Sequence, residues 1–218
     1  MQISTTEAET TLNHAPIVEI FGTTNNNKCM DTSLTVAQIQ LALHDSGLWN
    51  KRSDIMVPNL SWGLLPYEAD FVVLSKSGFL TEVEIKRSWA DFKRDFDKAH
   101  RHNDERIYHF YYCVPADILP KVKAFLKDRV REELVSQYGN DMEVDSILHD
   151  RHPRLPAILT FNESGKVESA GFGYSGAYRS NCRKLFIEEQ LQVARLGCLR
   201  YWNRQKQSVS LPEFPSVF

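Results

Sequence analysis

The stretch that most constrains the fold is residues 67–86, where two strand-like segments flank a short loop. Apolar runs at 71–74 and 79–85 are typical of strands, and the loop between them contains Gly78. Glycine accepts the positive φ that a three-residue hairpin loop requires. The pattern therefore predicts a β-hairpin, an antiparallel strand pair whose register follows from the loop.

Because successive side chains of a strand point to opposite faces, the charged residues of this hairpin lie on one face. If Ser75 pairs with Phe79, the register places Asp70 opposite Glu84. The charged face then carries Glu68, Asp70, Glu82, Glu84 and Lys86, and the other face carries Phe71, Val73, Val83 and Ile85. Like charges that face each other across a strand pair are destabilising, so a cation between Asp70 and Glu84 would explain the pattern. The hairpin predicts a metal site.

Length and composition are those of one folded domain that does not depend on disulfide bonds. The chain has 218 residues, of which 42% are hydrophobic and 25% charged, enough for a sizeable core. It has no 18-residue apolar run and no signal-like N-terminus, so we expect a cytoplasmic protein that does not enter a membrane. Association with a bacterial or phage-infected nucleoid is expected if the partner is DNA. The four cysteines form no C-x-x-C pair and are expected to be reduced.

Helices and strands alternate in the remaining pattern. Helical spacing or capping predicts helices over 33–46, from Ser88 onward, over 118–137 and over 180–206, while strand patterns occur at 54–65, at 106–115 and in a second hairpin at 155–172. This order predicts an α/β fold with a mixed central sheet flanked by helices. We expect a tail or edge extension at 1–32, one domain at 33–207 with a surface excursion at 138–156, and a C-terminal tail at 208–218.

The charge distribution is more informative than the net charge of −2. Between Arg179 and Lys206 there are seven basic residues against Glu188 and Glu189. This segment is either a phosphate-facing surface or a solvated helix face, and the sequence leaves both open.

The acidic hairpin resembles the signature of a nuclease superfamily. Asp70, a thirteen-residue gap and then Glu84-Ile85-Lys86 resemble the D…(D/E)-x-K signature of the PD-(D/E)xK nucleases, with Ala69 at the position before the aspartate where proline is common. The following run, Glu84-Ile-Lys-Arg-Ser-Trp-Ala-Asp-Phe92 and later Tyr108-His-Phe-Tyr-Tyr-Cys-Val-Pro115, resembles the E-x-K-x-S-x-x-D-F … Y-x-Y-x-V-P run of the MmcB-like DNA-repair branch and related phage proteins. The resemblance covers roughly residues 35–205 and is best over 67–115.

This resemblance implies a restriction-endonuclease-like core and a Mg²⁺- or Mn²⁺-dependent nuclease that hydrolyses DNA, preferentially as an endonuclease, in DNA repair or in a phage or mobile element. It implies that Asp70 and Glu84 hold the metal together with the Ile85 carbonyl, and that Lys86 lies beside the attacking water or the scissile phosphate. A divalent cation suits this chemistry because negative charge develops on the attacking and leaving oxygens. The candidates for nucleic-acid contact are Arg87, Lys98, His102 and Arg183.

Several assignments remain open at this level. Glu82 is either a ligand for a second metal ion or a solvated residue. Lys98 and His102 either contact substrate phosphate or are solvated helix residues. The resemblance implies a site that, in several members of the superfamily, also includes a glutamate from the first helix, whereas this chain has Gln38 and Gln40 there. The number of metal ions, one or two, is therefore open.

Two other functions fit the same residues. The second hypothesis is a nuclease-fold module that binds DNA or a protein partner without cleaving it. An RNA-directed enzyme is the third hypothesis. Any of the three is compatible with a homodimer.

Overall fold

The computed structural model describes residues 34–61, 63–97, 102, 104–139, 148–149, 155–173 and 182–208. The predicted extension at 1–32 lies outside these residues, as do most of the excursion at 138–156 and nearly all of the tail at 208–218. The described α-helices are α1 (Val36–Asp45), α2 (Trp89–Arg94), α3 (Leu119–Tyr138) and α4 (Ile187–Ser208). The described strands are β1 (Ile55–Leu60), β2 (Ala69–Leu74), β3 (Leu80–Ile85), β4 (Ile107–Pro115), β5 (Ala157–Phe161) and β6 (Val167–Ser169).

These strands form one mixed sheet in chain order, from β1 at one edge to β6 at the other. The first three strands pair antiparallel, β3, β4 and β5 run parallel, and β6 returns antiparallel to β5. Parallel neighbours need a crossover, and α2 and α3 lie in the two connections concerned. The predicted α/β class with a mixed central sheet flanked by helices is confirmed.

The hairpin β2–β3 has the register that its loop predicts. Phe71 lies opposite Val83, and the backbone N–H of Ser75 donates to the Phe79 carbonyl over 2.9 Å. Gly78 has a φ of 85°, the left-handed conformation that the loop requires. Local turn chemistry therefore decides which side chains of the two strands face each other.

The last helix begins later than its sequence pattern predicts. Helical spacing favoured a start near residue 180, but α4 begins at Ile187. In the segment before it, the N–H of Leu185 donates to the Gly78 carbonyl and the N–H of Arg183 donates to the Glu105 carbonyl, each over 2.9 Å. These bonds to other loops replace the i→i−4 bonds of a helix, so tertiary contacts override the local pattern.

Helices cover both faces of the sheet. On one face α1 packs against the apolar side of the hairpin, which includes Phe71 and Val83. On the opposite face α4 packs over β1 and β2, while α2 and α3 pack over β4 and β5. The charged residues of β3 point toward this second face, between two apolar clusters, and are buried rather than solvated. Among the described helices, none is long and apolar enough to cross a bilayer.

Gly173 allows two backbone segments to approach closely beside β5. Its φ is 72°, and a Cβ built there would lie 2.1 Å from the carbonyl oxygen of Pro156. Gly171 is a natural comparison because its φ of 62° is also positive, yet its Cβ position has no heavy atom within 4 Å.

We expect Gly173→Ala to lower the free energy of unfolding by at least about 2 kcal/mol more than Gly171→Ala, because only the first substitution adds a clash with backbone atoms. Gly171→Ala should lose about 1 kcal/mol from its left-handed conformation. Urea unfolding followed by circular dichroism measures both values. Equal losses of unfolding free energy in the two variants would show that the Pro156 carbonyl leaves room for a side chain at residue 173.

Candidate functional site

The start of β2 lies beside the end of β3, because these two strands are antiparallel. The half-buried carboxylate of Asp70 uses its Oδ2 atom to accept the backbone N–H of Ile85 over 2.8 Å. The fold thus brings Asp70 to the segment that carries Glu84 and Lys86, as the hairpin pattern predicts.

The ammonium group of Lys86 forms ion pairs with two carboxylates. Its Nζ atom lies 2.6 Å from Glu84 Oε1 and 2.6 Å from Asp95 Oδ1. Lys86 and Glu84 are each only 3% exposed. A buried ammonium with such partners cannot rotate freely, so its charge is held in one direction.

Asp95 connects the rest of the network, and sequence reasoning assigned it no role. It follows α2 in a short 3₁₀-helix, and its side chain is fully buried. Besides Lys86, it accepts hydrogen bonds at Oδ2 from the Tyr112 hydroxyl and from His102 Nε2, each over 2.9 Å. The signal that could have identified it is its place four residues after Asp91 in the D-F-x-x-D part of the run that resembles the nuclease branch.

His102 lies within this network and not at the surface. Its Nδ1 atom is 2.6 Å from Glu82 Oε1, and its Nε2 atom is 2.9 Å from Asp95 Oδ2. The ring stacks on Phe110 with centroids 4.9 Å apart and is 2% exposed. Its backbone φ of 49° is unusual for a residue with a side chain, and such strain persists where surrounding contacts enforce it. In this arrangement His102 offers no surface to a nucleic acid.

Glu82 is fully buried, which excludes the solvated alternative for this residue. One carboxylate oxygen pairs with His102, and the other accepts the Tyr67 hydroxyl over 2.7 Å. Each oxygen of this carboxylate therefore has a defined partner.

The two nitrogens of His102 face carboxylates, and this sets the charge of the ring. Burial disfavours the cation, but the hydrogen bonds to Asp95 and Glu82 outweigh it and raise the pKa of His102 to about 9. Burial also raises the pKa of Glu82, against the opposing effects of His102 and Tyr67. The raised pKa values of Glu82 and His102 both refer to the proton that these two groups share. We assign this proton to the His102 ring, because the other ring nitrogen, Nε2, is hydrogen-bonded to Asp95.

Three side chains of the network have the donor atoms and proximity of a metal site. Ligand atoms of Glu82, Glu84 and His102 all lie within 4.8 Å of one another. Two carboxylates with an imidazole suit Mn²⁺, Fe²⁺ or Zn²⁺ better than Mg²⁺, which prefers oxygen ligands alone. A metal bound to His102 would have to displace a ring proton. Glu84 belongs both to this set and to the set implied by the resemblance.

Gln40 of α1 lies beside Asp70. Its Nε2 atom donates to the Asp70 carbonyl and to Asn59 Oδ1, each over 2.8 Å. Gln38 instead completes the capping box of α1 with Thr35. The helix thus contributes an amide to the surroundings of Asp70, which positions its backbone without adding negative charge.

The other residues named for nucleic-acid contact have different positions. Arg87 is half-buried beside the network, and Lys98 lies outside the described residues. The guanidinium of Arg183 lies 2.8 Å from Glu105 and 2.7 Å from Glu189. These carboxylates compete with phosphate for Arg183, whose role in nucleic-acid contact stays a prediction.

A groove between α2 and α3 has basic and aromatic walls. Its lining residues are Ala90, Lys93, Arg94, Phe96, Asp97, Phe125 and Arg129. The guanidinium of Arg129 lies 5.2 Å from the ring centroid of Phe96, within cation–π range. The sequence pattern did not identify this groove, because its two walls are distant in the chain.

Comparisons with known proteins add little to this geometry. No family model matches the chain, and no curated protein matches it. A solved structure of a protein of unknown function from Silicibacter pomeroyi is similar with 13% sequence identity and a TM-score of 0.46, covering 84% of this chain and 99% of that one. A likeness of this size supports no conclusion about the site.

We expect Lys86→Met to lower the free energy of unfolding by roughly 3–5 kcal/mol, because it leaves the buried carboxylates of Glu84 and Asp95 without their shared cation. Lys51→Met is the matched control. Lys51 pairs with Asp45 over 2.5 Å but its side chain is 44% exposed, so solvent screens the pair and the loss should be far smaller than for Lys86→Met. Chemical unfolding measures both variants, and similar losses would contradict a buried network.

We expect the stability of the metal-free protein to fall as the pH rises through the pKa of His102. That pKa is about 9 in the folded protein against 6.5 ordinarily, so the charged ring contributes its full stabilisation, up to about 3 kcal/mol, below about pH 6.5. The contribution declines above that pH and is lost above about pH 9. Urea unfolding of the parent and of His102→Gln in EDTA measures it. A difference between them that does not change with pH would contradict the assignment.

Proposed function

We propose that this protein is a divalent-metal-dependent nuclease that acts on DNA. The observation that carries the proposal is the contact of Asp70 with Ile85 at the edge where Glu84 and Lys86 also lie. Two carboxylates at the ends of neighbouring strands can hold a divalent cation that stabilises the charge of phosphodiester hydrolysis, and a lysine beside them can neutralise the phosphate. The resemblance noted in the sequence implies the same residues.

The residues fit a divalent cation in charge and in donor chemistry. The hydrogen-bonded network contains three carboxylates and two cationic groups, a formal charge of −1, and Asp70 beside it adds a further carboxylate. Asp70 and Glu84 would hold Mg²⁺ or Mn²⁺ together with the Ile85 carbonyl. When bound, the ion would stabilise the negative charge that develops on the phosphate oxygens.

The protein's own groups would orient charge around the substrate. Lys86 is directed by Glu84 and Asp95, so its ammonium would already be oriented to neutralise a phosphate that reaches it. His102 and Tyr112 hold Asp95 from the other side. We therefore assign Asp95 to positioning Lys86.

The basic lining of the groove between α2 and α3 favours the proposal of a polyanionic substrate. Lys93, Arg94 and Arg129 line it, and α2 begins three residues after Lys86. Basic side chains next to aromatic rings suit contacts with phosphates and sugars. DNA as the substrate, and a context of repair or of phage and mobile elements, follow from the resemblance.

A second candidate is a nuclease-fold module that binds DNA or a protein without cleavage. The observation that favours it is the burial of Glu84 and Lys86, which are 3% exposed and already paired with each other. A substrate or metal ion can reach them only if surrounding groups move.

We expect the parent protein to cleave DNA with Mn²⁺ or Mg²⁺, and Asp70→Asn and Glu84→Gln to lose at least about 100-fold in rate. These amides preserve shape and a hydrogen-bond acceptor, whereas substitution of Lys86 would also cost stability. Glu68→Gln is the matched control, because Glu68 is an exposed carboxylate of the same segment. Cleavage of single- and double-stranded DNA and of RNA, followed on gels, separates the substrate classes.

The alternatives give distinct results. Cleavage by both amide variants at the parent rate would refute the assigned site. A parent that binds DNA in EDTA and cleaves no substrate with either metal would favour the binding module. Preference for RNA would replace DNA as the substrate class.

A further inference from the structure

The groove between α2 and α3 and the buried network share one short stretch of chain. Asp95 is buried and lies 2.6 Å from the ammonium of Lys86. The residues on either side of it, Arg94 and Phe96, line the groove. One wall of the groove is therefore directly joined to the carboxylate that orients the lysine of the candidate site.

Two cations of this groove lie against aromatic rings and not against carboxylates. The guanidinium of Arg129 lies 5.2 Å from the ring centroid of Phe96 and 5.8 Å from that of Phe125. The ammonium of Lys93 lies 5.7 Å from the Trp89 ring centroid. Within the described part of the chain, no ion pair joins Lys93 or Arg129 to a carboxylate. Both charges are therefore available to an anion from outside the protein.

The acidic residues around the groove do not cancel its charge. Three basic residues line it against the one lining carboxylate, Asp97, which gives a formal charge of +2. Arg94 also lies 3.6 Å from Asp91, but its side chain is 75% exposed, and water screens such a pair. The acidic residues of α3 are exposed and lie outside the lining, and they are Asp128, Glu132 and Glu133. The same helix carries five basic residues.

The shape and the aromatic lining suit a single strand better than a duplex. The groove has a volume of about 710 Å³, in the range of pockets that enclose one small ligand. Its floor includes the half-buried rings of Phe96 and Phe125, with the flat guanidinium of Arg129 over them. Unpaired bases stack on aromatic rings and guanidinium planes, whereas the faces of duplex bases are covered by their neighbours.

We propose that the groove binds single-stranded DNA, with phosphates at Lys93 and Arg94 and an unpaired base against Arg129. A positively charged groove with aromatic side chains is the arrangement by which proteins hold single strands. The inference rests on the proposed nuclease function for its choice of DNA, and it adds that the substrate is unpaired beside the cleavage site. Arg129 is then a residue that determines specificity.

Fluorescence anisotropy with a labelled oligothymidine of about ten nucleotides tests the groove in EDTA, where metal-dependent cleavage is stopped. We expect the single strand to bind at least about ten-fold more tightly than a blunt duplex of the same length. Arg129→Met should weaken single-strand binding at least about five-fold, the loss of one stacked base. Lys93→Met should lower the slope of log affinity against log salt by about 0.7, the loss of one phosphate contact.

Arg52→Met is the matched control. Arg52 is also exposed, so its loss removes the same charge, but it lies between α1 and β1 and does not line the groove. This variant should keep both the affinity and the salt slope of the parent. Circular dichroism checks that Arg129→Met, at an exposed position, keeps the fold.

An oligonucleotide of the same length without bases separates the contribution of the base from that of the phosphates. We expect it to bind the parent at least about five-fold more weakly than oligothymidine. Arg129→Met should reduce this difference, because the residue that stacks on the base is gone. Equal binding of the two oligonucleotides by the parent would show a site for phosphate alone, which any phosphorylated partner could fill, and would overturn the inference.

Three further results would also overturn it. They are a duplex that binds as tightly as the single strand, a single strand that does not bind at low salt, and equal affinities of the Arg129→Met and Arg52→Met variants. The nuclease proposal fails separately. A protein that cleaves DNA but binds it equally after Arg129→Met loses only the groove assignment, whereas one that binds single strands in the groove and cleaves none with Mn²⁺ or Mg²⁺ loses only the activity.

Discussion

The structure depends on the compensation of charges that β3 carries into the interior. β3 lies between β2 and β4, and α2, α3 and α4 cover the face to which Glu82 and Glu84 point. Unpaired carboxylates at this depth would cost several kcal/mol each, so cations must accompany them. Lys86 and His102 are those cations. Asp95 binds both, which makes this single carboxylate the connection between the strand and the segment after α2.

This arrangement links stability to the proposed chemistry. The contacts that direct Lys86 and His102 also join β3 to the segment after α2, so substitutions at Lys86 or Asp95 affect the fold as well as the site. A metal ion would enter surroundings whose hydrogen bonds are already made and would have to displace cations or protons. The same burial that preorganises charge thereby restricts access. Activity would require surrounding groups to move, because Glu84 and Lys86 are each 3% exposed.

Several features of the site were accessible from residue patterns because they are local. The loop around Gly78 sets the hairpin register, and the register brings Asp70 to the E-x-K segment. The cap at Ser88 was predictable for the same reason, since its hydroxyl accepts the N–H of Asp91 only three residues on. For His102 and Glu82 the sequence left solvation open as one of two alternatives, because the partners that bury them come from elements that are distant in the chain.

The sequence by itself determined the α/β class, the hairpin and the gathering of acids on one strand face, because hydrophobic period and turn chemistry act over a few residues. Only the tertiary structure decided that this face is buried, that Asp95 connects Lys86 with His102, and that the helix near the C-terminus starts at Ile187. Those features depend on which helix covers which part of the sheet. Helix placement follows from packing over long sequence separations, which no local pattern encodes.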